Sequence, residues 1–112
     1  MNANVMSALA EPHRLQIVEL LREHPLTVGE IAEQLQLRQP QASKHLRVLS
    51  EAGIVEAKVD ANRRIYSLRP DPFRELDDWL EGYRVLWEER FNRLDDYLQK
   101  LQVKKHENEQ QE

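Results

Sequence analysis

Apolar residues recur at helical spacing through most of the chain, and the period switches once. Asn4 to Ala10 reads as a short helix. Pro12 suits the first position of a second helix, because its missing N–H costs nothing there. Behind it Leu15, Ile17, Val18, Leu20 and Leu21 form a broad apolar face, and Pro25 stops the helix. Thr27-Val28-Gly29-Glu30 is a capping box, in which each end residue satisfies the other's backbone N–H. Val28, Ile31, Ala32 and Leu35 then line one face of a short helix. Gln36-Leu37-Arg38 is a three-residue turn with Leu37 inward. Pro40 starts a further helix with Ala42, Leu46 and Leu49 inward, and Gly53 suits its left-handed cap.

The period then shortens to two. Ile54 to Val59 and Arg64 to Leu68 read as strands of a β-hairpin around the tip Asp60-Ala61-Asn62-Arg63. Asp71-Pro72 caps and opens a long last helix. Phe73, Leu76, Leu80, Tyr83, Trp87, Phe91, Leu94, Leu98 and Leu101 step along it by three or four. From Pro72 to Gln102 it would run about 46 Å, more than the rest of the domain can cover. Residues 103–112 are polar after Val103, and this tail is expected to be disordered.

The chain has 112 residues, enough for a single domain with a thin core. It has no cysteine, which excludes disulfides, thiolate metal sites and cysteine nucleophiles. No apolar run approaches the roughly 18 residues of a membrane span. The first residues lack the basic and apolar regions of a signal peptide, so a cytoplasmic protein is expected. The net charge of -4 is unevenly spread. Residues 1–35 carry -3, residues 36–69 carry +4 and residues 70–112 carry -5. A basic middle between acidic flanks is what a polyanion would meet.

The helix, turn, helix and hairpin in that basic middle make a unit that sets its second helix in a DNA major groove. Gln39, Gln41, Ser43, Lys44 and Arg47 occupy outward positions, and no acid lies between Arg38 and Ser50. Glutamine can read adenine; lysine and arginine neutralise phosphates or read guanine. Arg63 and Arg64 at the hairpin tip can reach a backbone or minor groove. His45 fits either a ring packed beside Leu46 and Leu49 or a donor to phosphate. The bland counterparts are a helical hairpin with a polar face and a solvated turn with gatekeeping charges.

Three stretches resemble the ArsR/SmtB winged-helix repressors of bacteria. Leu9-Ala10-Glu11-Pro12-His13-Arg14-Leu15-Gln16-Ile17 is similar to that family's opening helix. Leu37 to Leu49 is similar to its recognition helix, with Ser43 and His45-Leu46 at the family positions. Glu51 to Val55 and Asp60 to Leu68 resemble its wing, with Ala61-Asn62 where the tip usually has Gly. The resemblance implies a mainly α fold with a small β-hairpin, a winged helix-turn-helix with a long C-terminal dimerisation helix, over residues 1–102. It implies a homodimer that represses transcription, often of its own gene, from a pseudo-palindromic double-stranded DNA operator. It tilts His45 toward DNA contact.

The family often releases DNA on binding a metal, through a Cys-rich motif on the helix at Thr27–Leu35 or Asp and His pairs on the last helix. This chain has no cysteine, and no histidine from Pro72 to Gln102. His13, His24, His45 and His106 form no i,i+4 pair, so neither a metal site nor a cofactor is expected. Leu76, Trp79, Tyr83, Trp87, Phe91, Leu94 and Leu98 are the expected dimerisation residues. The aromatic rings among them also allow plain core packing or a small-molecule pocket. An enzyme is disfavoured: the serines sit in no nucleophile elbow and the three glycines are isolated. A protein-interaction or small-molecule-sensing module on the same fold is the alternative to DNA reading.

Overall fold

The computed structural model describes residues 3–110, the side chains of 106–110 excepted. Its elements in chain order are α1 (Ala3–Leu9), α2 (Pro12–Glu23), β1 (Leu26–Thr27), α3 (Val28–Leu35), α4 (Gln39–Glu51), β2 (Val55–Asp60), β3 (Arg63–Leu68) and α5 (Pro70–Gln110). The chain divides into two compact units at Leu76/Asp77.

In the first unit, caps fix where helices begin and end. Glu11 caps α2, its carboxylate accepting from the Arg14 N–H at 2.9 Å. Arg14 in turn donates to the carbonyls of Ala8 and Ser7, which end α1. The Glu-Pro-x-Arg run thus closes one helix and opens the next. The box at Thr27 forms as expected: Thr27 N–H to Glu30 Oε1 is 3.1 Å and Glu30 N–H to Thr27 Oγ1 is 3.3 Å. At the end of α3, Gln36 stands left-handed at φ 56°, and the Leu37 N–H returns to the Ala32 carbonyl. Gly53, at φ 75°, ends α4 in the same way, the Ile54 N–H returning to Leu49. Both are Schellman closures, which favour glycine at the left-handed residue.

The core joins Val5 and Ala8 of α1, Ile17, Val18 and Leu21 of α2, Ile31 and Ala32 of α3, and Ala42, Leu46 and Leu49 of α4. Ile54 and Val55 tuck the start of the hairpin under them, and Phe73 packs against the same cluster. Leu15 departs from the expected face and is 46% exposed. Its stripe is narrower than the sequence implied, because α2 buries only Ile17, Val18 and Leu21.

The hairpin pairs β2 with β3 from Val55↔Leu68 to Asp60↔Arg63. Ala61 and Asn62 turn the tip, with Ala61 at φ 56°. The sheet has a third strand beyond the two-stranded hairpin expected from the sequence. Leu26 and Thr27 add β1 to its edge, Leu26↔Tyr66 and Thr27↔Ile65, in the order β1-β3-β2. Two residues are too few to show a period, but Leu26 is buried and its backbone satisfies the inner edge of β3.

Helix α5 starts at Pro70, two residues before the expected opening, and Pro72 also lies in its first turn, where no backbone donor is needed. It runs to Gln110, beyond the expected end at Gln102. The remaining two tail residues and the His106 side chain lie outside the described residues. The second unit, from Asp77, is helix alone. Trp79 and Tyr83 stack edge to face at 5.1 Å, and Arg84 bridges Glu81 and Glu88. Every large apolar side chain from Trp79 to Val103 is exposed.

Candidate nucleic-acid interface

Helix α4 presents its inward row to the core, so its opposite row faces out. Gln39, Gln41, Ser43, Lys44 and Arg47 are all exposed, as are Arg63 and Arg64 on β3. Ser43, Ser50 and Arg47 of α4 meet Arg64 and Tyr66 of β3 and Val28 of α3 around a shared groove of about 460 Å³. No carboxylate lines it. Helix and hairpin therefore offer hydroxyls and guanidinium groups to one concave space, the arrangement that phosphates and base edges require.

Two of these side chains are held in advance. Gln41 Oε1 accepts from the Arg38 N–H at 3.1 Å, at the first turn of α4. Its amide NH₂ is not engaged by that bond, whereas any bidentate use of the amide would first release Arg38. Arg47 lies 3.4 Å from Glu51, one turn on, in an exposed pair that DNA can displace at little cost. At the start of α3, hydrogen bonds from the Thr27 N–H and hydroxyl hold the Glu30 carboxyl below its usual range, and the nearby charge of Arg63 acts in the same sense.

His45 is not part of the outward row. Its ring is only 19% exposed, and Nδ1 lies 3.7 Å from Glu11 Oε2. Its ring centre is 5.4 Å from that of His13, whose Nδ1 lies 3.3 Å from Glu11 Oε1. This favours the packed reading of His45 over the phosphate donor. It also brings donor atoms of two imidazoles and a carboxylate within 4.8 Å of one another, a cluster that i,i+4 spacing does not reveal. The expected dimerisation residues divide between the units: Leu76 is half-buried at the end of the first, and Trp79, Tyr83, Trp87, Phe91, Leu94 and Leu98 are exposed along the second.

The first unit is thus a winged helix-turn-helix: α3 and α4 are the helix pair and the β2–β3 hairpin is the wing. Residues 11–57 match the family described as bacterial regulatory protein, arsR family. The chain is 44% identical over 76 residues to the HTH-type transcriptional regulator Rv2034 of Mycobacterium tuberculosis, covering 68% of this chain and 71% of that one. It is 30% identical over 80 residues to the transcriptional repressor SdpR of Bacillus subtilis, covering 71% of this chain and 89% of the relative. A solution structure from Mycobacterium bovis, described as a homodimeric winged helix-turn-helix DNA-binding domain of a possible ArsR-family regulator, superposes with a TM-score of 0.62 at 31% identity. That superposition covers 72% of this chain and 75% of that structure. The chain belongs to the arsR family of bacterial regulatory proteins and is a DNA-binding transcriptional regulator. Among the described residues, no helix is long and apolar enough to cross a membrane.

Proposed function

We infer that the protein is a cytoplasmic, non-enzymatic repressor that binds a pseudo-palindromic operator as a homodimer. The observation that carries this is the acid-free groove shared by α4 and the wing, where Ser43, Arg47 and Arg64 converge. Lys44, Arg47, Arg63 and Arg64 supply phosphate contacts and hence most of the affinity. Gln39, Gln41 and Ser43 supply base readout, Gln41 through its free NH₂ while its oxygen stays with Arg38. His45 contributes by packing rather than by touching DNA, given its place beside Glu11. Dimerisation through α5 would set two recognition helices about 34–36 Å apart, one turn of DNA.

The test is a gel-shift series on the DNA upstream of the protein's own gene, repeated across salt concentrations. Arg63→Ala should weaken all sequences alike and lower the salt slope by about one unit. Gln41→Ala should leave the salt slope unchanged and cost about 1–3 kcal/mol on the operator alone. If Arg63→Ala left both affinity and slope unchanged, the hairpin would not be a DNA-binding wing.

A further inference from the structure

We propose that Glu11, His13 and His45 form a binding site for a zinc-class divalent cation, joining the start of α2 to the DNA-facing helix α4. The three donor atoms lie within 4.8 Å of one another, although His45 comes from α4 while Glu11 and His13 sit at the start of α2. His13 Nδ1 to Glu11 Oε1 is 3.3 Å, and His45 Nδ1 to Glu11 Oε2 is 3.7 Å. Zinc bound to nitrogen and oxygen at its usual bond lengths sets tetrahedral neighbours about 3.3–3.6 Å apart. The His13 edge falls in that range, and the His45 edge, which ends on the other Glu11 oxygen, lies just beyond it.

The donor chemistry selects the ion. Two neutral imidazoles and one carboxylate suit zinc, cobalt, nickel or copper. Magnesium and calcium want mostly oxygen ligands, and this site offers a single carboxylate. The surroundings support the ligands. Glu11 is oriented by the Arg14 N–H, in the manner of an outer-sphere hydrogen bond to a ligating carboxylate. The Arg14 guanidinium is directed to the carbonyls of Ala8 and Ser7. His45 is largely buried and fixed by α4, while His13 is half-exposed, which leaves an approach for the ion and room for water as a fourth ligand.

This site differs from both family sites named above, since it uses neither the α3 helix nor the last helix. Sequence spacing hid it, because His13 and His45 meet only after the helices pack. It rests on the His–Glu–His geometry and not on the DNA-binding reading, so either can fail without the other.

The experiment is zinc titration of the chelator-treated full chain, by calorimetry or against a chromophoric competitor, with cobalt as a spectroscopic probe and magnesium as a control. One zinc per chain is expected, with a four-coordinate cobalt spectrum and no response to magnesium. His13→Ala lies on the surface and leaves the core intact; it should weaken zinc about tenfold or more. His45→Asn should do the same and should abolish the rise in thermal midpoint that zinc gives the wild type. His24→Ala and His106→Ala should bind like wild type. No zinc binding at micromolar ion, or binding that survives His13→Ala unchanged, would overturn the proposal. Loss on His24→Ala or His106→Ala in place of His13→Ala would do so too.

Discussion

The two units of this chain use apolar residues in opposite ways. In the first, thirteen apolar side chains among the described residues are buried in one cluster, and the helices that supply most of them are short and capped. In the second, Trp79, Tyr83, Trp87, Phe91, Leu94 and Leu98 stay 38–66% exposed on a single helix. The full apolar row from Phe73 to Leu101, to which they belong, steps by about 3.5 residues on average, the period of a seam between helices. A contiguous apolar stripe of this extent is what an interface presents before it is covered. The first unit has completed its hydrophobic collapse within one chain. The second has the pattern for it but requires a second surface.

If that contrast is right, the largest effect should come from a charge in the seam. Leu94→Glu would bury a carboxylate on both chains of a dimer, at a cost of several kcal/mol. Sedimentation should show monomer, and operator binding should fall with it. A well-folded wild-type monomer at micromolar concentration would remove the premise. Leu46→Ala makes the complementary cut. Leu46 is fully buried in the first unit, and its truncation should cost about 2–5 kcal/mol. Here the loss should appear in the first unit's own unfolding, read by hydrogen exchange at α3 and α4. A dimer dissociation constant that moved as far as for Leu94→Glu would erase the distinction between the units.

What could be read from the sequence follows the same division. The capping box at Thr27, the left-handed Gly53 and the inward row Ala42, Leu46, Leu49 were legible because each is set within a few residues. The outward row of α4 was legible as its complement. Strand β1 was not, because it exists only through pairing with β3. Leu15 was misread because an apolar residue at the edge of a stripe is indistinguishable from one inside it. The extension of α5 past Gln102 carries no apolar residue after Val103; Lys, Glu and Gln are sufficient helix formers to carry it. The engagement of Gln41 with Arg38 and the meeting of His13, His45 and Glu11 depend on how turns and helices pack, which residue spacing does not encode.

A smaller effect separates the units by acid. Glu30 is held below its ordinary value of 4.5 by the hydrogen bonds from Thr27. The stability it contributes is therefore complete above that value and is lost as pH falls through the lower folded-state value. Thr27→Ala should cost about 0.5–2 kcal/mol at neutral pH, the usual loss for a removed N-cap. The gap between variant and wild type should narrow as the solution is acidified below pH 4.5 in denaturant unfolding followed at the first unit. An unchanged gap would mean that the Glu30 carboxylate adds nothing to the box through the Thr27 hydroxyl, leaving only the Glu30 N–H bond to Thr27 Oγ1.

The smallest effect concerns backbone strain, which is confined to the first unit. Gln36 and Ala61 are the non-glycine residues with positive φ among the described residues, each at 56°. One ends α3 before the recognition helix and the other turns the wing. A side chain costs about 1–2 kcal/mol in that conformation, while glycine gives part of it back by loosening the unfolded chain. Gln36→Gly should therefore stabilise the first unit by less than about 1 kcal/mol, since Gln36 is exposed and its side chain supports no core contact. Ala61→Gly should act likewise at the wing tip. Neither substitution touches α5, so thermal unfolding of the first unit should shift upward while the dimer dissociation constant stays fixed. A gain that appeared equally in dimerisation would show that the two units fold as one and that the stripe on α5 is not an independent interface.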